Sequence, residues 1–279
     1  MYLFTIVPFL YFLKTRLKGK VQRVSWVFVY FIPSFILFNY FASLAEFKNI
    51  VLLIISITLI NYIYENGYLQ NDIKTTKKEK NPTLRLSLEE MQKVDKNWNK
   101  IVFLRVVVSL VLIALFYFVS DDISLTLGLF IISLSLQILY LIYNSIRNIC
   151  NLILILPINY IRFYGFIISF VSIVELPYFV IFSLFLYPVS KFLEFTNQPR
   201  YNLQKIANIV GNVDTFRIKY YLSITIVSLL VFIQTNSYIY FLIVSIYYLL
   251  YRLGTYYMIN QSKIVQDELL NNIKKEYRK

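Results

Sequence analysis

Histidine is absent from this 279-residue chain and cysteine occurs once, as Cys150. The first absence removes any imidazole general base, and together they exclude a disulfide framework and a zinc site built from Cys and His. Acidic residues are few as well, 15 against 28 Lys and Arg. There is no fixed-period repeat and no low-complexity segment. The apolar N-terminus lacks a basic leader and a small-residue cleavage site, so no removed signal peptide is expected. Any chemistry must therefore be done by carboxylates, amides, hydroxyls, cations and a hard metal.

What the chain does contain is apolar surface. Hydrophobic residues make up 58% of it, with 24 Phe and 25 Tyr and a mean hydropathy of +0.61. A soluble domain of this length does not carry such a composition, and a multi-spanning membrane protein does. The net charge of +13 sits in short blocks between apolar runs. That pattern fits cytoplasmic loops facing anionic headgroups, and it argues against a nucleic-acid partner.

The apolar runs predict an all-α, polytopic transmembrane bundle of eight spans, at about 26–42, 51–66, 101–119, 123–143, 149–167, 168–187, 220–234 and 238–258. The first thirteen residues are too short to span and precede a basic block, which predicts an interfacial helix. The positive-inside rule then puts both termini and two long polar loops, about 70–100 and 188–219, in the cytoplasm, where they cap one site. One transmembrane domain covers 1–279, in the cytoplasmic membrane.

The polar edge from Tyr64 to Arg85 is the chief candidate for chemistry. Glu65, Asp72 and Glu79 recur every seven residues, nearly two helical turns, so a continuous helix puts them on one face. Glu65 lies inside a span, where an unpaired charge costs on the order of 3 kcal/mol. It is either catalytic or paired with a buried cation such as Arg162. Asn151, Pro157, Asn159 and Arg162 interrupt the fifth span and predict a polar cavity or a helix interface there. Glu175, beside Pro177, leaves the same choice open as Glu65.

These residues also carry a resemblance. Asn71-Asp72, with Thr75 and Glu79 four and eight positions after Asn71, resembles the N-D-x-x-D-x-x-x-D motif of the UbiA superfamily of intramembrane prenyltransferases. Asn81-Pro82-Thr83-Leu84-Arg85 is similar to the H-P-T-K-x-R segment of its polyprenyl-phosphate phosphoribosyltransferase branch. Tyr143-Asn144-Ser145-Ile146-Arg147, Ile161-Arg162-Phe163-Tyr164-Gly165 and the stretch from Val213 to Tyr221 echo further segments of that branch. The pattern departs at Thr75, where an acid is expected, at Glu79, and at Asp214, which stands alone instead of in a D-x-x-x-D pair. The family has nine spans, so the N-terminal apolar segment stands in for one or one is missing.

The resemblance implies a transferase that moves a phosphoribosyl group from phosphoribosyl diphosphate to a polyprenyl phosphate. It further implies Mg2+ held by Asn71, Asp72 and Glu79, with Asp72 and Glu65 as catalytic residues. Donor contacts would come from Asn71, Lys78, Glu79, Lys80, Arg85 and Asp214, and acceptor-phosphate contacts from Arg147 and Arg162. Transfer of an isoprenyl chain from its diphosphate to a small acceptor is the alternative within the family. A transporter or non-catalytic assembly subunit is the alternative outside it.

Overall fold

The computed structural model describes residues 2–78, 82–146, 150–198, 201 and 203–261, apart from the Lys78 side chain. Its helices, in chain order, are α1 (Leu10–Thr15), α2 (Lys20–Ala42), α3 (Phe47–Thr75), α4 (Leu88–Lys96), α5 (Trp98–Ser120), α6 (Ile123–Ser145), α7 (Asn151–Ile168), α8 (Leu176–Leu186), α9 (Pro188–Thr196), α10 (Gln204–Val210), α11 (Val213–Thr235) and α12 (Ile239–Gln261). Among the described residues there is no strand. Seven helices, α2, α3, α5, α6, α7, α11 and α12, are long and apolar enough to cross a membrane, and the α8–α9 pair makes an eighth if it crosses as one. The protein is an all-α polytopic membrane bundle.

The breaks follow from local chemistry. The 41° bend between α8 and α9 falls where Pro188 removes a backbone donor. At the hairpin turns after α5 and α11, Asp121 and Asn236 take the left-handed conformation that their short side chains tolerate. Asp122 then caps α6 by accepting the Leu125 N–H.

Several boundaries differ from the sequence-based expectation, among them the starts of α2 at Lys20 and of α11 at Val213. Helix α3 runs to Thr75 instead of ending near residue 66, because Glu65 and Asp72 are buried against protein, not presented to headgroups. The stretch expected as a loop from 188 is helical to Thr196. Glu175 is exposed just before α8, beside Ser172, and has no buried partner.

The N-terminal segment is the largest departure. It does not lie as an exposed amphipathic helix. Tyr11 and Thr5 are fully buried, and the segment packs across the ends of α3 and α5. Tyr11, Leu69, Ile73, Leu86, Val94 and Ile101 form a small second core there. Helix α4 closes that core with Val94 and is tied down by ion pairs on its polar face. Lys74 and Lys77 reach Asp95 at 2.6 and 2.5 Å, and Lys14 pairs with Glu90. The hydrogen bonds from Lys74 and then Lys77 hold the Asp95 carboxyl below its ordinary range.

Helix α3 is the centre of the main core. It packs closely on α6 through Gly67, where a Cβ would lie 2.1 Å from the Tyr140 ring. Small residues allow this kind of approach between membrane helices. Gly67→Ala is expected to push Tyr140 aside and destabilise the fold by about 1–3 kcal/mol, the usual cost of overpacking. The check is the thermal unfolding midpoint in detergent, and a midpoint equal to wild type would show that the contact has slack.

Candidate anion-binding site

A cavity of about 660 Å³ lies where α2, α3, α6, α7, α9, α11 and α12 meet the segments before α2 and α4. Among the described residues six cations face it: Arg16, Arg85, Arg162, Lys191, Arg217 and Arg252. No carboxylate does. Tyr64, Tyr68, Tyr140 and Tyr187 add aromatic wall, and Asn71, Asn144 and Asn159 add amides. Three helices reach this wall through a single π-type turn, at Val27–Phe31, Asn71–Thr75 and Ile161–Gly165. Such turns widen a helix by one residue and re-aim its side chains, and they recur at functional sites.

Asp72 stands behind the wall. It is 3% exposed, and both its oxygens accept from the Arg16 guanidinium at 3.0 Å in a two-pronged pair. The Tyr11 hydroxyl donates to the same carboxylate at 2.8 Å, and the Arg85 Nε is 4.0 Å away. Arg16 also lies over the Tyr68 ring at 4.2 Å. Burial opposes the charge on Arg16, but Asp72 against it prevails and raises its pKa above the ordinary value. Burial first, then the Asp72 charge, keeps the Tyr11 phenol un-ionised. The acid holds the arginine in place, and the arginine is what faces the cavity.

Glu65 is 1% exposed and does not reach the cavity. It accepts from the Phe12 backbone N–H at 2.9 Å and pairs with Arg105 at 3.4 Å, not with Arg162. Arg105 itself also donates to the carbonyls of Thr5 and Tyr62, at 2.9 and 2.6 Å, and to Asn66. Of the two roles open to Glu65, the geometry gives it structural pairing.

The opposite wall repeats the arrangement. Glu194, 8% exposed, takes Arg217 in a two-pronged pair at 2.7 Å and Lys191 at 3.1 Å. Asp214 adds a contact to Arg217 at 3.2 Å from a half-buried position off the cavity wall. Arg162 and Arg252 are different. Each is more than nine-tenths buried, and each has a buried Nε without a hydrogen-bond partner. Arg162 lies over the rings of Tyr64 at 4.0 Å and Phe12 at 4.8 Å. Neither has a carboxylate within ion-pair distance among the described residues. A guanidinium buried this way carries a large desolvation cost unless an anion joins it.

Of the residues singled out from sequence, Asn71, Arg85 and Arg162 are brought together on the cavity wall, Asp72 stands directly behind it, and Glu65 and Asp214 are turned elsewhere. The Lys78 side chain, Glu79, Lys80 and Arg147 lie outside the described residues. The sequence reading assigns no part in the site to Lys191, Arg217, Arg105, Glu194 or Arg252. A signal existed for Arg105 and Arg252, since a lone cation inside an apolar run is a site candidate by default.

No family model, curated protein or solved structure matches this chain. The UbiA resemblance therefore rests on the motif residues alone. Among the described residues no three His, Cys, Asp or Glu side chains gather. Mg2+ prefers several oxygen ligands, and Asp72, the one carboxylate close behind the wall, has its oxygens engaged by Arg16 and Tyr11. Glu79, the third ligand that the resemblance implies, lies outside the described residues.

Proposed function

We propose that the protein is an integral-membrane transferase that brings a polyprenyl phosphate and a diphosphate-activated phosphoribosyl donor together in this cavity. The observation that carries the reading is the wall itself: among the described residues it has six cations and no carboxylate, and two of those cations are buried without a counter-ion. That is a site for phosphate groups. Its volume, about 660 Å³, is within the range of small-molecule sites. The membrane-spanning helices around it supply the apolar surroundings for an isoprenoid tail.

The choice of acceptor follows from what the wall lacks. No His and, among the described residues, no carboxylate faces the cavity, so no ordinary general base is in reach. A small aromatic or hydroxyl acceptor must lose a proton. A phosphate monoester is already an anionic nucleophile and needs none removed. One of its oxygens forms the new bond to the anomeric carbon as the bond from that carbon to the diphosphate breaks, and diphosphate leaves with its electrons. Arg85 and Asn71 serve the donor, and the surrounding guanidiniums neutralise the leaving group. By the positive-inside rule the cavity faces the cytoplasm, where a soluble sugar diphosphate is available.

The test is incubation of the purified protein with polyprenyl phosphate and either phosphoribosyl diphosphate or an isoprenyl diphosphate, followed by mass analysis of the lipid. A phosphoribosylated lipid is expected from the first donor. No lipid product from either donor would defeat the transferase reading. Repeating the assay with a chelator tells whether Mg2+ shares in neutralising the diphosphate. In the same assay Arg85→Lys is expected to raise the donor KM about threefold to tenfold, because an ammonium cannot make the paired bonds of a guanidinium. An unchanged KM would place Arg85 outside the donor site.

A further inference from the structure

Three helices on one side of the cavity are joined by stacked tyrosines. The Tyr248 ring of α12 lies parallel to Tyr221 of α11 at 5.0 Å and to Tyr187, at the start of α9, at 6.0 Å. Lys191 follows Tyr187 by four residues, Arg217 precedes Tyr221 by four, and Arg252 follows Tyr248 by four. Four residues is one helical turn, and the Lys191 N–H donates to the Tyr187 carbonyl in that register. Helices α9 and α12 run toward the end of the bundle where α11 begins. One step from each ring thus puts the three cations in a single layer, and all three line the cavity.

Glu194 holds Lys191 and Arg217, while Arg252 lies over the Tyr251 ring at 5.2 Å with an Nε that has no hydrogen-bond partner among the described residues. Two carboxylates, Glu194 and Asp214, set against three cations leave an excess positive charge for an anionic head group. We infer that Lys191, Arg217 and Arg252 form a distinct anion subsite for the phosphate monoester head of a lipid, with Arg252 as its anchor. Cations in one layer, with membrane-spanning helices around the cavity they face, have the polarity of a phosphorylated lipid, not of free phosphate. The inference deepens the transferase reading: it seats the acceptor here instead of at Arg147 and Arg162, and leaves the Arg16–Asp72–Arg85 wall to the donor.

The test needs no donor. The full chain in phosphatidylcholine nanodiscs is titrated with polyprenyl phosphate, with the uncharged polyprenol and with inorganic phosphate, for wild type, Arg252→Gln, Arg252→Lys and Lys191→Gln. Wild type is expected to bind the lipid phosphate at least about tenfold more tightly than the polyprenol or inorganic phosphate. Arg252→Gln should weaken the lipid phosphate about tenfold to a hundredfold, Lys191→Gln about tenfold, and Arg252→Lys should recover part of the loss.

Equal binding of polyprenol and its phosphate overturns the subsite, as does wild-type affinity in both neutral variants. Inorganic phosphate binding as tightly as the lipid overturns the lipid assignment. If Arg252→Gln does not fold, Lys191→Gln and Arg252→Lys decide the matter. Binding without turnover keeps the subsite and removes the transferase. Turnover with an unchanged lipid KM in Arg252→Gln does the reverse.

Discussion

Arg105→Leu is expected to destabilise the folded protein by about 3–5 kcal/mol, the range seen when one partner of a buried ion pair is removed. Glu65 is left 1% exposed with its charge unmatched, and the carbonyls of Thr5 and Tyr62 lose their donor. The loss concentrates where the N-terminal segment docks, so that segment should become sensitive to proteolysis before the rest unfolds. Denaturant titration in mixed micelles measures the total, and limited proteolysis locates it. The double variant Glu65→Gln with Arg105→Leu should recover a large part, because no charge is then stranded. Wild-type stability in the single variant would mean that Glu65 finds another partner or water.

The second large effect concerns turnover. Asp72→Asn keeps the shape of the side chain but removes the charge that Arg16 grips with both prongs. The expected outcome is a protein that folds and stays in the membrane while kcat/KM falls about a hundredfold, a typical result when a positioned group is displaced by about 1 Å. Asp72 is a positioning residue in this account. The loss should therefore appear chiefly in the donor KM, and Arg16→Lys should reproduce part of it. A fall confined to kcat, with donor affinity intact, would point to a role in the chemical step instead. Wild-type kinetics in Asp72→Asn would remove Asp72 from the site altogether.

The transmembrane bundle was readable because long apolar runs have few ways to satisfy their backbone in a bilayer. The polar edge at Asn71 to Arg85 was readable for the converse reason, since amides and cations that close an apolar run must face something other than lipid. The seven-residue spacing of Glu65 and Asp72 also held: both lie on the face of α3 that meets the N-terminal segment. What that face meets was not readable. Phe12, Tyr11 and Arg16 are separated from their carboxylates by 53, 61 and 56 residues, and no local pattern announces such a pairing. Arg105 and Arg252 stand out as lone cations in apolar runs, but what they meet does not, and Glu194 sits in a stretch whose mixed composition reads as loop. In each case the sequence shows a charge, and only the packing shows what surrounds it.

The docking of the N-terminal segment has a consequence for the order in which the molecule is made. Residues 5 to 16 leave the ribosome well before their partners Glu65, Asp72 and Arg105. At about 5–20 residues per second, several seconds of synthesis separate the segment from the helices that receive it. It must wait near the membrane surface, unpaired, until α3 and α5 are inserted. The step that completes the Arg16 wall of the cavity is then the late return of a segment made well before the helices that hold it.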